Sequence, residues 1–474
     1  MIRMTQILRG ISGHDLSMSD FPLTEAVIDS RKAIRGSVFF ALEGERADGH
    51  DYIENAFANG SIAAVVEKDK TIEGIPVIDL SSKKMVMDFD LPAPPFCLKV
   101  GNSLTALQDI ARYYRSTLDI KVIGITGSVG KSSTKEMVAD ILTTKYATFK
   151  NPGNFNNEIG LPLTILNTGS GYERIVLEMG FYYPGEIAFL CDIAKPRVGV
   201  VTNIGTVHAE RSGSQEAIAK GKAELIQSLR QSPEGTAVLN YDDPLVKKMA
   251  TETKADVIFY GLDPRADIWA DNIQGLGLKG ISFTLHYQDQ SIDLEVPILG
   301  RHSVQTILRA AAVAFADGFS MDELVNGLME SNLQLRLVAV RSESGALILD
   351  DTYNATPEST IAALDLLSEL RGQKIAVLGD MLELGQYEEA GHQTVGKRAA
   401  QVVNFLITVG PRGKIIAETA RASGLPATSI ASVKTSTDAA EMLRYNLKEG
   451  DVVLVKGSHG LRMDKISSLL EAAR

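Results

Sequence analysis

A strand, a glycine loop and a helix follow one another directly between residues 121 and 142, and this segment limits the possible folds most. The apolar run KVIGIT leads into the loop GSVGKSS, and the helical pattern EMVADIL follows. Backbone N–H groups at such a helix start bind phosphate oxygens, while lysine neutralises β- and γ-phosphate charge and a serine hydroxyl holds Mg²⁺. The segment therefore predicts a phosphate site on an α/β sheet, formed by Gly127, Ser128, Gly130, Lys131, Ser132 and Ser133.

One position departs from the usual phosphate-loop pattern, because Ile125 stands where that pattern has its first glycine. An ordinary glycine turn is the alternative interpretation. The strand before the loop and the helix after it argue against that alternative, since a phosphate loop needs both.

Apolar strand patterns recur along the chain and predict three α/β domains. Short strands and helices in residues 1–101 predict a small α/β domain, and the proline-rich segment from Asp88 to Phe96 is interpreted as a linker. Residues 102–332 predict a doubly wound parallel sheet that carries the phosphate loop, with antiparallel strands at 266–296. Residues 333–474 predict a Rossmann-like domain, with a ligand crevice at the carboxyl ends of its strands.

Composition excludes several classes of protein. The 474 residues carry a net charge of −11 and no cluster of Lys and Arg, which argues against nonspecific binding of nucleic acid. The two cysteines, Cys97 and Cys191, are too few for a disulfide framework. No apolar run reaches the roughly 18 residues of a membrane span, and the first residues lack the pattern of a secretory signal. We therefore expect a cytoplasmic protein, and we expect a monomer.

Longer segments resemble the Mur ligases and folylpolyglutamate synthases, which are ATP-dependent enzymes that form amide bonds. The most specific matches are to the Mur ligases and extend over all three predicted domains. They are DSRKAIRGSVFFALEGERADGHDYI (29–53), NPGNFNNEIGLPLTIL (151–166), VLEMG (176–180), VTNIGTVHAE (201–210), KAEL (222–225), DDTYNATPES (350–359), LGDMLELG (378–385) and VKGS (455–458). The chain is identified as a member of the Mur ligase family. The resemblance implies that ATP and Mg²⁺ support the joining of D-alanyl-D-alanine to a UDP-N-acetylmuramoyl-tripeptide through an acyl phosphate.

The resemblance also implies a catalytic centre around the phosphate loop. Its catalytic residues are Lys131, Glu178, His208 and Lys222, and its Mg²⁺ ligands are Ser132, Glu178, His208 and Lys222. Lys222 is expected to be carbamylated by CO₂, because a carbamate offers Mg²⁺ hard oxygen ligands whereas an ammonium repels it. Without the resemblance, these residues have ordinary alternatives: a surface glutamate at a strand end, a structural histidine and a solvated helix lysine.

Further residues are assigned to the substrates by the same resemblance. Arg336 and Asp351 are expected at the ATP ribose and phosphates, and Tyr353 and Asn354 at the incoming dipeptide. The remaining expected contacts are Ser30, Arg31, Asp48 and His50 for the uridine diphosphate, and the asparagine cluster Asn154, Asn156 and Asn157 for substrate or phosphate. Turn chemistry alone is the alternative for the asparagines, and the match to the family favours contact over it. Ordinary surface motifs are the alternative for the uridine diphosphate residues, and a plain strand-end turn is the alternative for Asp351. Because the three ligands are expected on three domains, we also expect open and closed forms.

Two positions depart from the family pattern. Ser303 and Thr306 replace two asparagines of the helix expected at adenine, and Thr356 replaces the second asparagine of Asn-Ala-Asn-Pro. Two rival functions stay open at this point. One is a related ligase with another amine or folate substrate, and the other is a phosphate-loop ATPase that switches conformation without making an amide.

Overall fold

The computed structural model describes residues 1–14, 20–69, 72–81, 91–206, 209–330 and 338–471, which fold around three β-sheets. The mixed α/β class predicted from the sequence is confirmed. His208, Arg336 and the predicted boundary at residue 332 lie outside the described residues. Within the described ranges, no helix is long and apolar enough to cross a membrane.

The first sheet consists of five parallel strands. Its strands are β1 (Ala26–Val27), β2 (Val38–Phe40), β3 (Ala63–Val66), β4 (Val77–Asp79) and β5 (Phe96–Lys99), with helices α1 (Met4–Ser12) and α2 (Ile53–Ala58). The order is β1-β2-β3-β5-β4, so β5 is an internal strand. The linker interpretation is therefore wrong at Phe96, because the apolar FCLK that begins there is buried between two strands of this sheet.

The second sheet has nine strands and carries the phosphate loop. Its strands are β6 (Lys121–Thr126), β7 (Thr148–Lys150), β8 (Arg174–Glu178), β9 (Val198–Val201), β10 (Thr236–Asn240), β11 (Asp256–Gly261), β12 (Ile268–Gly275), β13 (Ile281–Tyr287) and β14 (Gln290–Val296). The order is β14-β13-β12-β11-β10-β9-β6-β8-β7. Pairs from β7 to β12 are parallel, whereas β12, β13 and β14 pair antiparallel, as predicted for 266–296.

Helices cover both faces of this sheet, which agrees with the doubly wound prediction. They are α3 (Ser103–Ser116), α4 (Lys131–Thr143), α5 (Gly160–Leu166), α6 (Glu186–Ala194), α7 (Ala209–Ser212), α8 (Gln215–Gln227), α9 (Pro244–Lys248), α10 (Ser303–Ala316) and α11 (Met321–Glu330). Apolar residues of α4 and α10 form one core, and those of α3, α5, α6 and α8 form the other. The second core continues into the first sheet through α1 and α3, so the two sheets share buried apolar surface.

The third sheet has six strands, and one edge strand is antiparallel. Its strands are β15 (Val338–Arg341), β16 (Leu347–Asp351), β17 (Lys374–Gly379), β18 (Phe405–Val409), β19 (Ile430–Val433) and β20 (Val452–Lys456). Its helices are α12 (Pro357–Glu369), α13 (Glu388–Val402), α14 (Gly413–Ala422), α15 (Ser436–Asn446) and α16 (Asp464–Leu470). The order is β15-β16-β20-β17-β18-β19, with β15 antiparallel to β16.

The third unit contacts the second beyond the carboxyl ends of the second sheet's strands. Gln386 Nε2 donates to the Gly213 carbonyl at 3.0 Å, in the segment that follows β9. A second polar contact joins Arg301 Nε to Glu369 Oε1 at 3.0 Å. The phosphate loop, at the end of β6, therefore lies on the side of the second sheet that faces the third unit.

Candidate active site

Two glycines give the phosphate loop its shape. Gly127 has φ +143° and Gly130 has φ +85°, both in the region that disfavours other residues. A Cβ on Gly127 would lie 1.8 Å from Thr202 Oγ1, so only glycine fits beside β9. Gly130 comes directly before α4, whose first residue is Lys131, so the N–H groups of that helix start, which have no acceptor within the helix, line the loop.

Residues after β9 hold the loop in place, a role the sequence analysis did not assign. The Ser128 N–H donates to the Asn203 carbonyl at 2.9 Å, and the Val129 N–H donates to Asn203 Oδ1 at 2.8 Å. Thr202 Oγ1 donates to the Val129 carbonyl at 2.7 Å. Both side chains lie in the quoted VTNIG segment, where the match to the family was the only available signal. The loop is thus pre-shaped by its neighbouring strand.

Two lysines donate to the same loop carbonyl. Lys131 Nζ lies 2.9 Å from the Gly127 oxygen and 3.3 Å from the Ser128 oxygen. Lys222 Nζ, from α8, lies 3.0 Å from the same Gly127 oxygen and 4.9 Å from the centre of the Phe181 ring. The structure thus brings these two predicted catalytic lysines to one carbonyl of the loop.

The Lys222 side chain is buried, with 1% of its surface exposed. Burial lowers the pKa of its ammonium well below the usual value, the Lys131 charge lowers it further, and Glu178 opposes both. A solvated lysine on the outer face of α8 is therefore excluded. Lys220, two positions earlier on the same helix, is exposed instead.

Glu178 ends β8 as a buried carboxylate beside the helix that follows the loop. Ser132 Oγ donates to its Oε2, and Asn156 Nδ2 donates to its Oε1 at 2.9 Å. The Asn151 side chain fixes the backbone there, since its Oδ1 accepts from the Glu178 N–H at 2.9 Å. A surface glutamate is excluded, because the side chain is 4% exposed and both oxygens are engaged. The sequence analysis assigned Asn156 to substrate or phosphate and did not predict this hydrogen bond to Glu178.

The asparagine loop before α5 is arranged largely by local hydrogen bonds. Asn157 Oδ1 accepts from the Gly160 N–H at 2.9 Å and so binds the start of α5. The Asn154 carbonyl accepts from the Asn156 N–H at 2.7 Å. Lys135 is buried and donates to the Asn151 carbonyl at 2.8 Å, which ties α4 to this loop. The substrate roles of Asn154 and Asn157 stay predictions.

The four residues predicted for uridine diphosphate occupy two short turns of the first unit. Arg31 is exposed and makes a bidentate pair with Asp29, at 2.9 and 2.8 Å, which lowers the pKa of Asp29 to about 2. His50 is buried: its Nδ1 lies 2.6 Å from Asp48 Oδ1, and its Nε2 accepts from a backbone N–H at 3.1 Å. Ser30 is buried as well. Of these four, Arg31 offers an exposed cation, whereas His50 holds the turn.

The predicted residues of the third unit lie at the end of β16. Lys456 Nζ, which is buried, donates to Asp351 Oδ2 at 2.6 Å and to the Asn354 carbonyl at 2.9 Å. Tyr353, between them, is 47% exposed. Thr356 accepts from the Ser359 N–H at 3.1 Å and caps α12. Thr356 therefore serves as a helix cap at the position where the family pattern has asparagine.

Of the two residues that replace the expected asparagines, Thr306 supports the phosphate loop from behind, whereas Ser303 Oγ donates to the Leu299 carbonyl at 2.7 Å. Thr306 Oγ1 accepts from Arg309 Nη2 at 2.8 Å, and Arg309 Nε donates to Thr134 Oγ1 at 2.9 Å. Thr134 donates in turn to the Gly130 carbonyl at 2.7 Å. Arg309 was missed because an arginine in an alanine-rich helix gives no sequence signal for an internal contact.

Comparison with known sequence families shows three matches along the chain. Residues 23–115 match the Mur ligase family catalytic domain, residues 125–314 match the Mur ligase middle domain, and residues 335–459 match the Mur ligase glutamate ligase domain. Together they span most of the chain.

Full-length relatives carry one common name. The UDP-N-acetylmuramoyl-tripeptide–D-alanyl-D-alanine ligase of Bacillus subtilis (strain 168) is 34% identical, over 92% of this chain and 91% of its own length. The protein of the same name from Escherichia coli (strain K12) is 32% identical, over 99% and 97%. Among solved structures, MurF from Acinetobacter baumannii matches with a TM-score of 0.82 and 28% identity, over 98% of this chain and 97% of that one. The MurF ligase of Thermotoga maritima in complex with ADP matches with a TM-score of 0.78 and 30% identity, over 94% and 96%. This chain belongs to the Mur ligase family.

Proposed function

We propose that the protein is an ATP-dependent ligase that joins D-alanyl-D-alanine to a UDP-N-acetylmuramoyl-tripeptide, in the cytoplasmic synthesis of peptidoglycan precursors. The observation that carries this proposal is the phosphate loop, with Lys131 and Lys222 on one carbonyl and the buried Glu178 beside it. The names of the full-length relatives support the choice of substrates. The ADP complex of the Thermotoga maritima protein supports ATP as the nucleotide.

The chemistry needs an activated carboxylate, because the oxygen of a free carboxylate is a poor leaving group. The terminal carboxylate of the tripeptide attacks the γ-phosphorus of ATP and releases ADP, which forms an acyl phosphate. The amino group of D-alanyl-D-alanine then attacks the acyl carbon, loses a proton and expels phosphate. Lys131 lies on the loop where it can turn from the Gly127 carbonyl to the γ-phosphate and neutralise charge there. No side-chain nucleophile is required.

The residues beside the loop fit a magnesium ion. Mg²⁺ is usually held by one or two carboxylates together with substrate phosphates and water. Glu178 supplies a buried carboxylate and Ser132 a hydroxyl, and these two groups face each other directly. When bound, the ion supplies positive charge to the phosphate oxygens. Asn156 orients the Glu178 carboxylate toward the loop both with and without the ion.

Lys222 is proposed as a carbamylated residue and metal ligand. Support comes from its position, because the side chain is fully enclosed and its nitrogen reaches the phosphate loop. Only a neutral amine reacts with CO₂, and the lowered pKa favours that form. His208 is proposed as its partner at the second ion, as the family pattern implies. That residue lies outside the described part of the chain.

The other predicted residues are proposed as substrate contacts on separate units. Arg31 offers its guanidinium to the diphosphate of the UDP-linked substrate. Asp351 with Arg336 serves the ribose and phosphates of ATP, and Tyr353 with Asn354 receives the dipeptide. Because these groups lie in different units, closure accompanies binding. Identical X-ray scattering profiles with and without an ATP analogue and the muramoyl substrate would contradict closure.

The proposed function is tested by measuring whether phosphate release requires both the UDP-tripeptide and D-alanyl-D-alanine. The purified protein is incubated with ATP, Mg²⁺, the UDP-tripeptide and D-alanyl-D-alanine, and each component is omitted in turn. We expect release only in the full mixture, with a UDP-pentapeptide detected by mass spectrometry. Release that needs neither substrate would instead indicate an ATPase switch. Release with a folate or another amine in place of these substrates would indicate the related ligase.

A further inference from the structure

A pocket of about 270 Å³ opens beside Glu178, and the function described above assigns no part of the substrate to it. Its walls come from the asparagine loop, the segment after β8 and the first turns of α6. The wall after β8 is fixed, because the Glu186 carboxylate accepts from the N–H groups of Tyr182 at 2.6 Å and Tyr183 at 3.0 Å. The Gly185 N–H is likewise held by the Glu224 carboxylate at 2.6 Å.

The pocket lies next to the reaction centre. Asn156 lines it and donates to the Glu178 carboxylate at 2.9 Å, and Gly180, two residues after Glu178, also lines it. The reacting carboxylate belongs to the last residue of the tripeptide, so the side chain of that residue starts one bond away from the reacting carbon. This pocket therefore lies within reach of that side chain.

The lining suits a long aliphatic stem with a cationic end. Pro184, Phe189 and Leu190 supply apolar surface, and Glu158 and Glu186 supply carboxylates. Lysine combines a four-carbon stem with an ammonium group and buries the stem while its charge stays near polar groups.

Tyr182 also lines the pocket, and most of the charged side chains that act on it are carboxylates. The pKa of its hydroxyl is raised, chiefly by burial and then by Glu383, Glu186 and Glu158. Arg211 opposes this rise, and its guanidinium lies 4.5 Å from the centre of the Tyr182 ring. Two carboxylates, those of Glu158 and Glu186, line the pocket itself, whereas Arg211 lies on the Tyr182 ring and is not part of the lining. A ligand with an added carboxylate at this position would meet net repulsion.

We propose that this pocket binds the side chain of the tripeptide's third residue and selects lysine over diaminopimelate. The inference rests on the proposed function, since it assumes the muramoyl tripeptide as substrate. Diaminopimelate carries the same distal amine as lysine but adds a distal carboxylate. Glu158 and Glu186 form the acidic rim of the pocket. This rim therefore disfavours diaminopimelate relative to lysine, because only diaminopimelate brings a further carboxylate to it.

The test compares two UDP-tripeptides that differ only in the third residue. Phosphate release is measured with saturating ATP and D-alanyl-D-alanine, and kcat/KM is determined for the lysine and the diaminopimelate forms. We expect at least a tenfold preference for lysine. Equal values, or a preference for diaminopimelate, would overturn the inference while ligation itself would still support the proposed function. Ligation of neither form would overturn both.

Charge reversal at the rim gives a second measurement. Glu158 is exposed, so Glu158→Lys is expected to fold, and it should shift the kcat/KM ratio at least tenfold toward diaminopimelate. The KM for ATP should stay unchanged. Glu418→Lys, an equal charge change on an exposed position of α14, serves as the matched control and should leave the ratio unaltered. An unchanged ratio in Glu158→Lys would remove the pocket from substrate selection.

Discussion

Replacement of Lys222 by methionine and by alanine separates the chemical role of this side chain from its structural role. Alanine removes three buried methylenes, worth about 2.4 kcal/mol, and the cavity left behind raises the loss to about 3 to 4 kcal/mol. Methionine keeps most of that apolar volume and removes the buried polar nitrogen. It also removes one hydrogen bond, worth about 1 kcal/mol, but the Gly127 carbonyl keeps Lys131 as a donor. We therefore expect Lys222→Met to be within about 1 kcal/mol of the wild type in stability.

Both variants should be nearly inactive, because neither can carry a carbamate. Unfolding in urea is followed by the fluorescence of Trp269, the only tryptophan, which lies in the same sheet as the phosphate loop. Activity is followed by phosphate release in the full reaction mixture. Short carboxylic acids should partly rescue Lys222→Ala, which leaves space for them, but not Lys222→Met. Lys220→Ala, at an exposed position of the same helix, should stay active. Wild-type turnover in Lys222→Met would refute the chemical role.

Three further changes test the loop and the first unit. Lys131→Ala should lower kcat about 10³-fold or more, measured by phosphate release, while circular dichroism should show that the fold is retained. Near wild-type ligation would exclude the phosphate-loop assignment. Arg31→Ala should raise the KM of the UDP-tripeptide and leave that of ATP unchanged, and an equal rise for both would contradict separate sites. Gly127→Ala should weaken ATP binding, measured by calorimetry, because its Cβ would clash with Thr202; wild-type affinity would show that the loop relaxes without penalty.

The main features of the fold follow from the sequence because buried parallel strands are short apolar runs. The runs KVIGIT, RIVLEM, KIAVLG and DVVLVK all fall on strands of the structure. The error at Phe96 has a physical cause, since proline predicts a turn but says nothing of whether the next residues return to the same sheet. The strand Ile430–Val433 was missed, because its residues are only partly buried at a sheet edge and its apolar pattern is weak.

The sequence predicts a residue of the candidate site only where the residue type and its position at a strand end or a helix start indicate its chemical role. The loop glycines, Lys131 and Glu178 stand at a strand end or a helix start, which the pattern marks. Asn156, Asn203 and Arg309 act through contacts with residues far away in the sequence, so no local pattern identifies those contacts. The burial of Lys222 could be expected from the family pattern but not from its helix.

The two edges of the nine-stranded sheet bear on how this chain avoids aggregation. Exposed strand edges invite pairing with other chains, and large parallel sheets form slowly, so partly folded molecules present such edges for longer. One edge is β7, with only three residues. The other is β14, where the exposed Asp293 and Glu295 alternate with the buried Leu294 and Val296. A short strand at one side and repeated negative charge at the other make both edges poor templates for a second copy.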